Sequence, residues 1–148
     1  MSSGMMTKIW GPPGWVFLHS ITMGYPQEID ENNEEHILRR EGMISLFESL
    51  QYVFPCSYCR KSYAKFIEEK PIREHVNNRE TLVLWFYNIH NNVNKSNNKD
   101  ILSYEDVKKI YLNSYNYSIE KDESVESNIT FMLAIILVIL IIYYFLKK

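Results

Sequence analysis

Cysteine is scarce in this 148-residue chain: there are two, and both stand in Pro55-Cys56-Ser57-Tyr58-Cys59. That excludes a fold stapled by disulfides, because a bridge between residues three apart closes too short a loop to restrict the unfolded chain much. It also excludes a zinc site built from cysteine alone, since one C-x-x-C supplies only half of a tetrahedral ligand set. The four histidines, His19, His36, His75 and His90, contain no H-x-x-x-H pair that would complete it, and no metal ligand is expected. A basic excess is missing too. Sixteen Lys and Arg against eighteen Asp and Glu leave a net charge of −2, so nucleic acid is not an expected partner. There is no G-x-G-x-x-G phosphate loop, no internal repeat and no stretch with the strict alternation of a half-buried strand.

What is present is helical patterning. Pro12 and Pro13 suit the opening of a first helix, and Trp15, Phe17, Leu18, His19, Ile21 and Thr22 form its apolar face, ended by Gly24-Tyr25-Pro26. A second helix is read over 36–54, with Ile37, Leu38, Ile44, Leu46, Phe47, Leu50 and Val53 inward. Pro55 breaks it, and Cys56 starts a third helix in which Tyr58, Cys59, Tyr63, Phe66 and Ile67 recur before Lys70-Pro71. Asn77 with Glu80 resembles a capping box for a fourth helix, whose stripe is Leu82, Trp85, Phe86, Ile89 and Val93. Ser103 with Asp106 opens a fifth, through Val107, Ile110, Tyr111 and Tyr115. The expected fold is all-α: a four-helix bundle with a short fifth helix over 7–115.

Composition then shifts. Residues 116–128 carry Glu120, Asp122, Glu123 and Glu126 and read as an acidic linker. Residues 129–146 contain no charge and would span about 27 Å as a helix, close to a bilayer's hydrocarbon core. Tyr143, Tyr144, Lys147 and Lys148 suit an interface at one end. A single-pass C-terminal transmembrane helix is expected. No signal peptide is visible in 1–8, so the preceding domain is expected in the cytosol. The terminal lysines pull the other way, and sugar on the sequon Asn116-Tyr117-Ser118 would reverse the orientation.

Two cysteines at this spacing on the first turn of a helix can join and separate, and so little structural gain follows that a redox role is favoured. A thioredoxin-type site would need a βαβ frame, which the helical surroundings do not offer. A second constellation lies on the fourth helix, where His90 and Asn94 share a face, Asn91 sits beside them and Trp85 is a turn or more away. These groups suit the edge of a polar heteroaromatic ligand; they equally suit a helix end with His90 bonded in the core. Trp15 and His19 repeat the pairing on the first helix, with the same two readings.

Taken in series, Trp10-Gly11-Pro12-Pro13-Gly14-Trp15-Val16-Phe17-Leu18-His19, the C-x-x-C at Cys56 and Cys59, and His90-Asn91-Asn92-Val93-Asn94 resemble the Erv/ALR family of FAD-linked sulfhydryl oxidases. The likeness is to the short members encoded by large DNA viruses and covers roughly residues 8–115. It implies an FAD-bound homodimer that oxidises thiol-containing proteins with O2 as acceptor, yielding H2O2. By similarity, Cys56 and Cys59 are catalytic. Trp15, His19, His90, Asn91, Val93, Asn94, Lys95, Lys99 and Tyr111 would bind FAD. Cys56 would be the sulfur that substrate attacks and Cys59 the one facing the flavin, with Arg60 and Lys61 helping its anion. Many members add a structural disulfide between the fourth and fifth helices; Tyr87 and Leu102 stand at about those places here. Many also carry a shuttle cysteine pair. This chain has none, so the resemblance implies direct electron transfer from a thioredoxin-like or C-x-x-C protein. The competing reading is a non-enzymatic tail-anchored scaffold with a reversible disulfide.

Overall fold

The computed structural model describes residues 6–111, 131–137, 139 and 147. The chain divides into two compact units, 1–112 and 113–148. In the first, helices α1 (Thr7–Met23), α2 (Glu34–Val53), α3 (Ser57–Glu69) and α4 (Arg79–Ser96) follow in order, with a 3-10 turn at Ile72–Glu74. Residues 104–111 form α5. Among the described residues there is no strand, only a single bridge between Glu28 and Asn78. The expected all-α fold is therefore found.

Local chemistry explains most boundaries and corrects two. Helix α1 begins at Thr7, not at the prolines, which lie inside it. Pro12 and Pro13 deprive the carbonyls of Lys8 and Ile9 of a donor, but both residues are exposed and solvent can serve those carbonyls. The Asn33 side chain caps α2 by accepting from the Glu35 and His36 amides, and Glu34 and Glu35 complement the helix dipole. Pro55 forces Phe54 into extended backbone (ψ 134°) and ends it. The cap of α4 is Asn78, which accepts from the Thr81 amide at 2.9 Å; the box expected at Asn77 and Glu80 is displaced by one residue. Asn77 instead gives its carbonyl to the Ile29 amide at 3.1 Å. Ser103 caps α5 as expected, accepting from the Asp106 amide and donating to its carboxylate at 2.6 Å.

Helix α1 packs on α4 and α2 on α3. The main core gathers Leu18, Phe47, Leu50, Phe66, Trp85, Phe86 and Ile89, and Trp85 donates its indole N–H to the Lys70 carbonyl at 2.9 Å. A second cluster joins Met23, Val83 and Val107 to Tyr87, Leu102, Tyr104 and Tyr111, fastening α5 to α1 and α4. The α1 exit is tied to the α4 entry: Tyr25 donates its hydroxyl to the Val76 carbonyl (2.8 Å), and Arg79 donates to the Tyr25 carbonyl (2.6 Å). Five side chains on the expected helical patterns are exposed: Phe17 (60%), Leu38 (66%), Val53 (64%), Tyr58 (67%) and Ile110 (50%). Phe17, Leu38 and Tyr58 each stand about 100° around the helix from a buried or half-buried neighbour, and Val53 ends α2 beside the exposed Tyr52.

The second unit shows helix at residues 131–137 and 139, with exposed apolar side chains. Among the described residues no helix is long and apolar enough to cross a membrane. The rest of the expected span 129–146, the linker 116–128 and Tyr115 lie outside the described residues.

Candidate functional site

Cys56 is the N-cap of α3, and its Sγ accepts the Cys59 amide at 3.2 Å. The two cysteines form a disulfide with Cα atoms 5.1 Å apart, inside the range a bridge requires, and both are half-buried. The turn carrying them is pinned from both sides. Arg60 donates to the Phe54 carbonyl at 2.5 Å. Phe54 stacks on Trp10 of α1 (5.5 Å) and meets Tyr63 edge-on (5.3 Å). The Arg60 guanidinium, expected to stabilise a cysteine anion, is thus committed to a backbone carbonyl. Phe54 was not singled out by spacing, because a single aromatic before a proline carries no periodic signal.

The second constellation is assembled across α1, α4 and α5. His19 Nε2 and His90 Nδ1 lie 3.0 Å apart, 71 residues distant in sequence. Trp15 stacks on the His90 ring at 3.8 Å with planes 9° apart, and Tyr111 stacks on His19 at 4.2 Å and 13°. Phe86 closes the edge, 4.7 Å from His19 and 5.6 Å from Trp15. The stripe reading assigned Phe86 to the core alone; that it also touches both rings is a tertiary fact. His19 and Thr22 are fully buried and His90 and Asn94 nearly so.

Burial, and then the neighbouring His90, pushes the His19 pKa down to about 3. Burial, and then the charge of Lys99, pushes His90 down to about 4. Both imidazoles are neutral at pH 7, so one proton lies in the bond between them. If His19 Nε2 donates, its Nδ1 is an acceptor; if His90 Nδ1 donates, His19 Nδ1 carries a proton. That Nδ1 is buried and has no hydrogen-bond partner. An orphaned ring nitrogen among stacked aromatics fits a flat heteroaromatic group that offers both donors and acceptors, as an isoalloxazine does.

The other expected ligands are placed differently. The Asn91 amide is engaged with the backbone of Leu102, donating at 2.8 Å and accepting at 3.0 Å. Tyr87 donates to the same Leu102 carbonyl at 3.1 Å, so hydrogen bonds join the two places where a structural disulfide was considered. Val93 is half-buried, and Lys95 and Lys99 are exposed; the Lys99 amide donates to the Asn94 carbonyl at 2.9 Å. An open depression of about 320 Å³ between α1 and α2, lined in part by Ser20, Ile21, Arg39 and Met43, shares none of these residues.

Comparison with known proteins identifies the family and the fold. The chain is 39% identical over 101 residues to a probable FAD-linked sulfhydryl oxidase of Acanthamoeba polyphaga mimivirus, covering 68% of this chain and 66% of that protein. It is 32% identical over 111 residues to an FAD-linked sulfhydryl oxidase of African swine fever virus (isolate Pig/Kenya/KEN-50/1950), covering 75% and 87%. The fold is similar to the crystal structure of the FAD binding domain of Erv1 from Saccharomyces cerevisiae, with TM-score 0.63 and 26% identity, covering 72% of this chain and 94% of that one. Residues 13–112 match the model of the Erv1/Alr family, and the chain belongs to that family.

Proposed function

We propose that this protein is an FAD-dependent thiol oxidase that introduces disulfides into partner proteins through Cys56 and Cys59. The observation that carries the reading is the disulfide at the α3 N-cap, in a bundle whose relatives are FAD-linked sulfhydryl oxidases. Trp15, His19, His90, Asn94 and Tyr111 would hold FAD, which when bound supplies a two-electron acceptor that O2 re-oxidises with release of H2O2.

The chain's own part follows from sulfur chemistry. A substrate thiolate attacks Cys56 Sγ; the Cys56–Cys59 bond breaks and Cys59 departs as a thiolate. The second substrate thiol attacks the mixed disulfide, completing the substrate's disulfide and releasing Cys56. Cys56 as N-cap leaves in the field of the first α3 amides, which favours the departing anion. The cysteine pair now holds two electrons and two protons more, and the net reaction is 2 R–SH + O2 giving R–S–S–R + H2O2. Neutral His19 and His90 orient one shared proton at the buried end of the cluster, and Phe86 and Trp15 exclude water there.

Three further parts complete the proposal. A homodimer would cover Val16, Phe17 and Leu38, which are exposed on α1 and α2; sedimentation tests it. The uncharged run 129–146 would anchor the protein in a host or virion membrane with the domain cytosolic; resistance to alkaline extraction and the absence of sugar on Asn116 test that. With no shuttle thiols, the electron donor is a thioredoxin-like or C-x-x-C protein that meets Cys56 directly.

The deciding experiment is spectroscopic. Purified full-length protein is expected to be yellow, to lose flavin absorbance anaerobically with dithiothreitol, and to consume O2. Well-folded, colourless protein that FAD does not reconstitute would favour the scaffold reading instead.

A further inference from the structure

The surface around the redox disulfide is more apolar than an enzyme for small thiols requires. Tyr52 (74% exposed), Val53 (64%) and Tyr58 (67%) stand on the last turn of α2 and the first turn of α3, on either side of Pro55 and Cys56. None belongs to either core cluster. On α3, Tyr58, Lys61 and Lys65 follow at helical spacing on one exposed stripe. Among the described residues no ion pair engages Lys61 or Lys65, whereas Arg73 is paired with Glu48 at 2.9 Å.

The reaction itself says what covers this surface. A mixed disulfide on Cys56 holds the substrate cysteine's Cα within about 4.4–6.8 Å of the Cys56 Cα. The residues flanking that cysteine, about 3.8 Å apart along the chain, must then lie over the side chains nearest Cys56. Tyrosine rings at such a place offer large contact area for little ordering entropy, and exposed apolar clusters beside a reacting group mark recognition surfaces.

We propose that Tyr52, Val53 and Tyr58 form a docking collar for the thiol-bearing segment of the substrate, and that Lys61 and Lys65 favour acidic residues beyond it. The preferred substrate is therefore a protein cysteine pair with an apolar neighbour and nearby acidic side chains. This rests on the thiol-oxidase reading above. The collar sets KM for protein thiols and contributes little to small dithiols, which reach Cys56 without touching it.

The test uses full-length, flavin-loaded protein in detergent and follows O2 uptake with three probes: dithiothreitol, a C-x-x-C peptide flanked by Leu and Glu, and the same peptide flanked by Ser and Lys. The Leu/Glu peptide is expected to be oxidised with about tenfold higher kcat/KM than the Ser/Lys peptide. In the Tyr52→Ser, Val53→Ser, Tyr58→Ser triple variant, the ratio of Leu/Glu-peptide to dithiothreitol turnover should fall about tenfold through KM. Lys61→Glu with Lys65→Glu should abolish the acidic preference, and added salt should mimic it. Equal oxidation of both peptides, or a triple variant that keeps its preference, overturns the collar while dithiothreitol turnover still supports the oxidase. A triple variant whose oligomeric state changes while its peptide ratio does not also overturns it, assigning the patch to a second copy. No O2 uptake with dithiothreitol by the wild type overturns both readings together.

Discussion

The cysteine turn and the imidazole cluster are built by opposite strategies. Cys56 and Cys59 are three residues apart, half-buried, and placed by a proline, an N-cap and one helical turn. The His19–His90 pair spans 71 residues, is buried, and exists only because α1, α4 and α5 pack together. The difference suits the roles proposed for the two regions. A disulfide that exchanges with another protein has to be reachable, so local backbone geometry must suffice to hold it. A site for a flat, hydrogen-bonding cofactor needs dry aromatic walls from several elements, and its titratable groups become neutral as a consequence.

The comparison breaks first, and most severely, at the sulfurs. Cys59→Ser should lower thiol oxidation by on the order of a thousandfold or more, because the disulfide acts as a unit, yet leave the melting temperature nearly unchanged. Reduced Cys56→Ser is expected to retain FAD and show a long-wavelength thiolate–flavin band that Cys59→Ser lacks. Spectra the other way round would exchange the roles of the two sulfurs. Trp85→Ala attacks the packing that supports the cluster. Trp85 is 2% exposed and loses its bond to Lys70, so a destabilisation of about 3–5 kcal/mol is expected in urea unfolding.

Acid separates the regions more gently. His19 and His90 bind protons near pH 3 and 4 in the folded protein and near 6.5 when unfolded. Between these values the unfolded chain holds more protons, so stability is full above about pH 6.5 and falls as the pH drops toward 4. A thermal melt series should show that fall, and His90→Gln should flatten it; an equally steep fall in His90→Gln would exclude the pair as its source. At the small end, Asn91→Ala removes both bonds to Leu102 and should cost about 1–3 kcal/mol, and Tyr87→Phe about 1 kcal/mol. If Asn91→Ala impaired flavin affinity more than stability, Asn91 would belong to the ligand rather than to the α4–α5 connection.

Much of this was legible before any coordinates. Helix order, the α3 start at the cysteines, the Ser103 cap and the core stripe of α4 follow from rules that act over one or two turns. The boundaries that moved did so for equally physical reasons. Asn77 and Asn78 are both competent caps, and only the pairing of 27–29 with 77–79 shows which one is free to serve. Phe17, Leu38 and Val53 are apolar enough for a core but sit on the wrong side of their helices, and hydrophobicity alone does not say which side a neighbour will occupy. Phe54 and Phe86 carry no site signal in the sequence because their roles are contacts with other helices.

The amino-acid sequence by itself determined the family-like series of motifs, the all-α class and a single cysteine turn at the start of a helix, since each depends on residues close together along the chain. The tertiary structure alone decided that His19 meets His90, that Trp15 and Tyr111 stack on the two rings, and that Asn91 is spent on Leu102. Those outcomes depend on how helices far apart in sequence are rotated and packed. That choice is made by the whole core at once.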